Sequence, residues 1–353
     1  MHASPLTYRR QIETILLAWG ARIEAAAAIA EILLYAGLAG IDSHGISMLT
    51  EYDERRRRGW IDLKAKPRVV SETPASVLID AGGGLGHWPG VLAMTEAIER
   101  ARKTGLAAAA VRNSAHFGAC GYYTKMAAEA GLIGIATTSA SGIRVVPTFG
   151  SEPRLGTDPF SFAAPGSEGK PFLLDMATTT VAFGKIRNKL NEKSPCPPGW
   201  VLDSAGRPST DPADPAERGG FLTPLGGSAE NASYKGYGLA AMVNILSACL
   251  SGAMLITDPT RPDRANGPEV GHFFLALDPA IFRDPGEFRA EVAGFCDMLR
   301  ATRPLDPAQP VLVAGDPERA EAARRSREGI PIPPGLAARL KGIAAAADVP
   351  WLL

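Results

Sequence analysis

Apolar residues recur at helical spacing over residues 5–40: Leu6, Ile12, Ile15 and Leu16, then Ile29, Ile32, Leu33 and Leu34. Gly20 divides the run into two predicted helices, and the alanines at 25–28 favour helix in the second. Gly37 and Gly40 end it and lead into Asp42-Ser43-His44-Gly45. A third predicted helix carries Arg55 to Arg58, a basic run expected to face solvent. Strand and helix then alternate. Short apolar runs at 76–79, 106–111, 132–137, 172–175 and 273–277 read as buried strands. Helices are predicted over 91–102, 119–130, 178–189, 238–250 and 285–301, and charged helices follow the apolar run 311–313. Residues 193–215 are rich in proline and polar side chains and read as a long surface excursion.

The middle is therefore α/β and both ends are helical. The economical arrangement is a helical domain built from both termini, 1–72 and 281–353, around a central α/β domain, 73–280. The 353-residue length is compatible with two domains. With 46% hydrophobic and 21% charged residues, the chain needs no disulfides to hold a core. Cys120, Cys196, Cys249 and Cys296 form no CxxC pair, and reduced, buried thiols in a cytoplasmic protein are expected. Thirty-seven basic residues balance 37 acidic ones, which gives no electrostatic reason to expect nucleic acid or an anionic membrane as partner. No secretory leader is expected, because the only early apolar stretch, 15–19, is too short. Residues 236–257 carry no charge. Asn244, Ser247, Ser251 and Gly252 within them favour a buried core helix over a membrane span.

The glycine loop at 82–86 follows a strand and precedes a helix, but His87 and Pro89 break every GxGxxG register. Gly236-Tyr237-Gly238-Leu239-Ala240-Ala241 fits GxGxxA without a preceding strand, so the Rossmann context is missing. Lys235, two glycines and a helix N-terminus could still cradle a phosphate. Among the histidines, His44 and His116 stand out by neighbourhood, and either could act as general acid or base near neutral pH. His272 opens a strand and reads as structural, and His87 sits in the glycine loop. A serine hydrolase is disfavoured: there is no GxSxG elbow, and Ser43 is not expected to reach the ring nitrogen of its neighbour His44. No histidine pair has metal-ligand spacing, so no metal is expected.

Six motifs in order carry a resemblance: Asp42-Ser43-His44-Gly45, Asn113 to Gly118, Gly156-Thr157-Asp158-Pro159, Asp175-Met176-Ala177-Thr178, Gly199-Trp200 and Lys235-Gly236-Tyr237-Gly238-Leu239. The chain resembles the malate/L-lactate dehydrogenase family of non-Rossmann NAD(P)-dependent oxidoreductases, which act on small 2-oxo acids or cyclic 2-imino acids. The resemblance implies a homodimer with the active site near the interface, and NAD or NADP as cofactor. It assigns Asp175, Met176 and Ala177, Lys235 and Gly236, Ala314 and Gly315, and Ser139 or Ser141 to cofactor binding. It makes His116 and His44, with Ser43, the catalytic candidates, and we take His116 as the acid and His44 as the orienting group.

One position departs from the family. Its SHG-x-x-R pattern reads Ser43-His44-Gly45-Ile46-Ser47-Met48 here, and methionine cannot grip a carboxylate as arginine does. Either the substrate lacks a carboxylate there or another cation supplies the contact, with Arg144 as the candidate; Met48, Tyr52 and Arg144 are assigned to the substrate. The missing arginine also leaves a second reading, a catalytically silent homologue that binds a nucleotide or small ligand.

Overall fold

A computed structural model of the protein describes residues 1–140, 142–167, 169–255 and 269–353. The candidate Ser141 lies outside the described residues, as do Ile256 and Thr257 at the end of the charge-free segment. The first helix, Pro5–Ala18, starts where Ser4 accepts the Thr7 N–H at 3.1 Å and Pro5 presets the first turn. Its buried face, with Tyr8, Ile12, Ile15 and Leu16, packs on the second helix, Ile23–Leu38. One apolar cluster joins these helices to Ile330, Ile332, Leu340 and Ala344 near the other end. The ends also pair as strands, His2–Ala3 with Ile330–Pro331. Both termini thus build one helical layer. The helix Pro285–Arg300 packs instead on the sheet strand Phe160–Ser167.

The central sheet has seven strands in the order Arg68–Thr73, Ser76–Asp80, Leu106–Ser114, Val270–Leu277, Ile133–Thr138, Phe160–Ser167, Lys170–Met176. Only Ser76–Asp80 and Leu106–Ser114 run parallel; the other neighbours are antiparallel. This is a mixed sheet and not a doubly wound one, consistent with the failed dinucleotide fingerprint.

Several details differ from the sequence reading. Strand Arg68–Thr73 was not predicted because it is an exposed edge with no buried face. Strand Phe160–Ser167 was not predicted because Pro165 and Gly166 interrupt its apolar pattern. Residues 193–215 are more than a surface excursion. Val201–Leu202, Pro208–Ser209 and Phe221–Leu222 form a small sheet, and Val145, Val181, Ile186, Cys196, Val201 and Leu222 share a core. The helix Tyr234–Asn244 and its continuation to Cys249 bury only one face, leaving Tyr237, Met242, Ile245, Cys249 and Leu250 exposed. The expectation of a buried helix, and of a buried Cys249, is corrected accordingly. Arg55, paired with Glu51 at 2.5 Å, is also buried, unlike the rest of its basic run.

Candidate active site

His116 follows the buried strand Leu106–Ser114, in the short loop before the helix Gly121–Glu129. The glycine loop holds this segment from above. Gly83 N–H donates to the Asn113 carbonyl at 2.7 Å, Ala115 N–H to the Gly84 carbonyl at 3.0 Å, and Gly86 N–H to the His116 carbonyl at 3.0 Å. A Cβ on Gly86 would lie 2.5 Å from His272 and 2.7 Å from the Ala115 carbonyl. The loop therefore works as a backbone clamp on the histidine segment, and glycine permits that approach. Next along, Phe117 stacks on His272 at 4.4 Å between ring centroids. His272 bonds Thr138 at 2.7 Å and Ser114 at 2.9 Å, so both its nitrogens are satisfied, a structural role.

The His116 ring is half-buried. Its Nδ1 is 2.7 Å from the Tyr52 hydroxyl and accepts Gly118 N–H at 3.3 Å. No described residue bonds its Nε2, which leaves that atom for a substrate. His44 lies 5.3 Å away, centroid to centroid. Burial lowers the His44 pKa, against the pull of Glu51. His116 is lowered well below the ordinary value, first by burial and then by His44 and His87. At neutral pH the protein alone thus presents two uncharged imidazoles to the space between them. Tyr52, assigned from the resemblance to the substrate, is fully buried with its hydroxyl on His116. Its alignment on His116 has no signature in the sequence, because helix Met48–Arg57 and the 115–118 loop meet only in the fold.

The 3-10 turn Asp42–His44 curls so tightly that the Ser43 hydroxyl comes 2.9 Å from Nδ1 of His44, contrary to the sequence expectation. Tyr8 braces the turn by accepting Ile46 N–H at 2.6 Å; a Cβ on Gly45 would meet that hydroxyl at 2.5 Å. From the far end of the chain, buried Arg325 reaches Asp42 at 2.5 and 3.1 Å and the Gly37 carbonyl at 2.8 Å. Nothing in its Ala/Arg-rich surroundings marked Arg325 beforehand.

Most of the residues assigned to a cofactor lie along the edge strand Lys170–Met176 and just past its end. Asp175 accepts Gly121 N–H at 2.6 Å, and burial pushes its carboxyl up to about 6. Leu173 N–H donates to the Ala314 carbonyl, which ties that strand to Gly315. Asp316 fixes the same loop through Arg300 at 2.9 Å and Arg319 at 2.6 Å. Met176 and Ala177 end the strand, and Thr178 accepts Leu225 N–H at 2.9 Å. Leu225 in turn lies under Gly236, where a Cβ would sit 2.3 Å from its nitrogen. Lys235 is thereby brought near the strand end, exposed in the first turn of its helix and with no ion pair among the described residues. A cavity of about 590 Å³ opens beside Leu173 and Gly315, lined also by Tyr35, Tyr122 and Glu318. The buried Oε2 of Glu318 has no partner.

Ser139 is buried, its hydroxyl accepting Gly271 N–H at 3.1 Å, so its side chain belongs to the sheet. Buried Asp158, inside the Gly-Thr-Asp-Pro motif, shapes the next stretch by accepting Ala140 N–H at 2.9 Å and Gly156 N–H at 3.0 Å. Met48 is packed in the helical core beside Leu49, Tyr52 and Ala115. Arg144 is exposed, its guanidinium 4.5 Å over Phe183, with Arg187 5.2 Å from the same ring. Partial desolvation of its guanidinium against the protein, and then Arg187, lower the Arg144 pKa, while Glu51 raises it. No described set of three His, Cys, Asp or Glu side chains could hold a metal ion, and no described helix is long and apolar enough to cross a membrane.

Comparison with known proteins gives the family and the fold. The family model described as malate/L-lactate dehydrogenase matches residues 4–341. A malate dehydrogenase of Pyrococcus abyssi is 38% identical over 319 residues, 90% of this chain and 87% of that one. The crystal structure of malate dehydrogenase from Entamoeba histolytica superposes with a TM-score of 0.94 at 34% identity, covering 99% of both chains. Delta1-piperideine-2-carboxylate reductase from Pseudomonas syringae does so at 0.84 and 29% identity, over 98% of this chain and 100% of that one.

Proposed function

The chain belongs to the malate/L-lactate dehydrogenase family, an NAD(P)-dependent oxidoreductase, and from that premise we propose that it reduces a small 2-oxo acid or a cyclic 2-imino acid. The relatives named above are dehydrogenases and a reductase, so the silent-homologue reading is set aside. The observation that carries the mechanism is the half-buried His116, held at Nδ1 and open at Nε2 beside His44. A bound nicotinamide cofactor, NAD or NADP, supplies or takes up the hydride. His116 Nε2 gives its proton to the substrate oxygen or nitrogen, and His44 orients that group. An anionic substrate arriving beside His116 favours its cationic form and offsets the burial that keeps it neutral in the free protein. Initial rates on a panel of 2-oxo and cyclic 2-imino acids, with NADH and with NADPH, test this reading and identify the cofactor.

The unpartnered Glu318 oxygen, Asp175 and the adjoining cavity fit the hydroxyl-rich adenosine end of the cofactor, with Gly315 allowing close approach. Lys235 at its helix N-terminus fits the diphosphate. Lys235→Ala is expected to weaken NADH or NADPH binding by about 1.5–3 kcal/mol, the range for a charge-assisted hydrogen bond. Fluorescence titration of the reduced cofactor measures this, and unchanged affinity would remove Lys235 from the site.

A carboxylate buried without a cation costs several kcal/mol. Met48 offers none, so poor turnover of pyruvate and oxaloacetate is expected unless Arg144 reaches their carboxylate. Met48→Arg should raise kcat/KM for these acids, and the acids should protect the variant against heat, since its new guanidinium gains a partner only when they bind. Efficient wild-type turnover that survives Arg144→Ala would show that neither side chain serves the carboxylate.

The exposed face of the 234–249 helix fits a homodimer with the active site near the interface. Met242, Ile245 and Leu250 are 40%, 59% and 61% exposed on a segment without charge. Its other face is tied to the site through Ser247, 2.7 Å from Thr137 on the strand that ends before Ser139. Ile245→Glu should shift the sedimentation coefficient from dimer to monomer; an unshifted dimer would place the interface elsewhere. Unpaired cysteines fit a cytoplasmic setting.

A further inference from the structure

His87 is fully buried at the first position of the helix His87–Thr104, and its Nδ1 has no partner. A histidine kept only for packing satisfies both nitrogens, as His272 does. His87 instead leaves one nitrogen dry and places the other, Nε2, 3.3 Å from the Tyr52 hydroxyl. That hydroxyl lies 2.7 Å from Nδ1 of His116. The three groups form a chain that ends at the proposed proton donor.

Tyr52 has one hydrogen and two nitrogens to give it to. With His116 neutral and its proton on Nε2, the hydroxyl donates to Nδ1, alongside Gly118 N–H. The longer distance to His87 suits that resting polarity. An imidazolium carries protons on both nitrogens, so Nδ1 becomes a donor and the Tyr52 oxygen must accept. The hydroxyl hydrogen then needs a second acceptor, and His87 Nε2 is the one the described residues place there. Other charged or titratable groups around His116 do not serve. His44 Nδ1 faces Ser43, His272 is engaged at both nitrogens, and Arg55 has no acceptor atom. The same groups, His44 and His272 beside His116, face His87, and burial lowers its pKa to about 3. It therefore stays neutral and able to accept, as its place at a helix N-terminus also favours.

We propose that His87 is a positioning residue that takes the Tyr52 hydroxyl hydrogen when His116 becomes protonated, so that the Tyr52–His116 hydrogen bond reverses polarity without being lost. The proposal rests on His116 as the proton donor. In reduction the His116 Nε2–H bond breaks and its proton goes to the substrate oxygen, while the hydride reaches the carbon from the cofactor. Nδ1 keeps its proton, Tyr52 keeps its own, and none passes through His87.

Two readouts test this. One is the kcat–pH profile for pyruvate, oxaloacetate and delta1-piperideine-2-carboxylate. The other is the titration of His116 followed by nitrogen-15 NMR of histidine-labelled enzyme, which needs no turnover. His87→Leu removes the acceptor and holds the Tyr52 hydrogen against Nδ1. His116 should then titrate about one pH unit lower, and kcat above that titration should fall about tenfold, since the acid form is required. His87→Gln, with a carbonyl oxygen that can accept, should restore both. Adding His87→Leu to Tyr52→Phe should cost little more than Tyr52→Phe alone. An unmoved His116 titration in His87→Leu overturns the proposal, as does a loss that His87→Gln does not rescue and that adds in full to Tyr52→Phe. Retained kcat in His116→Ala would instead overturn the assignment of His116, whereas the NMR titration still reports on the reversal.

Discussion

His116→Ala is expected to lower kcat by about 10²–10⁴-fold, the usual contribution of a positioned general acid, with cofactor affinity unchanged. The geometry favours His116 over His44. His116 is held by Tyr52 at Nδ1, by Gly118 N–H and by the clamp at its own carbonyl, and its Nε2 has no partner among the described residues. His44 is tied through Nδ1 to Ser43, an exposed hydroxyl on a tight turn, and sits where it can direct a substrate. Single-turnover rates at saturating cofactor separate chemistry from binding. A large loss in His44→Ala together with near-normal chemistry in His116→Ala would exchange the two roles.

Arg325→Met is expected to destabilise the protein by about 3 kcal/mol, at the lower end of the range for breaking a buried ion pair. The lower end applies because Asp42 stays open to water on one side, with its side chain 61% exposed. The Gly37 carbonyl, at the end of the second helix, would lose a buried donor. For a 353-residue chain the melting temperature should fall by roughly 4 °C. Activity should fall as well, because Asp42 opens the turn that carries Ser43 and His44. Thermal melts and kcat/KM at a temperature where the variant is folded check both parts. An unchanged melting temperature would mean that water replaces the guanidinium at no cost.

Much of this architecture could be read from residue pattern alone. Helices at both ends and apolar strand runs in the middle were visible because burial imposes a period on those segments. Strands with no such period were not: Arg68–Thr73 is exposed along its length, and Phe160–Ser167 contains Pro165 and Gly166. The small sheet around Val201 and Leu222 escaped because each of its strands has two residues, too few to show alternation. The histidines were found through their unusual neighbours and the order of six motifs. Their supports were not, because Tyr52, His87 and Arg325 act across 64, 35 and 283 residues of chain. No local spacing encodes such a contact. The glycine loop is a different case. Its spacing ruled out a dinucleotide fingerprint, but nothing in the sequence showed that its backbone grips the His116 segment.

The strand Val270–Leu277 lies between Leu106–Ser114 and Ile133–Thr138, both made far earlier in the chain. Until it is synthesised, those two strands have no partner between them, and the sheet is a pair of separate fragments with two unpaired inner edges. His272 and its stacked neighbour Phe117 are likewise apart. On the ribosome, the His116 loop thus cannot reach its final setting until more than three-quarters of the protein has been made. Such edges recruit other strands, and contacts so distant in sequence form slowly. The enzyme therefore passes through a long interval in which the centre of its sheet is missing, and chaperone protection of the nascent chain would matter most during that interval.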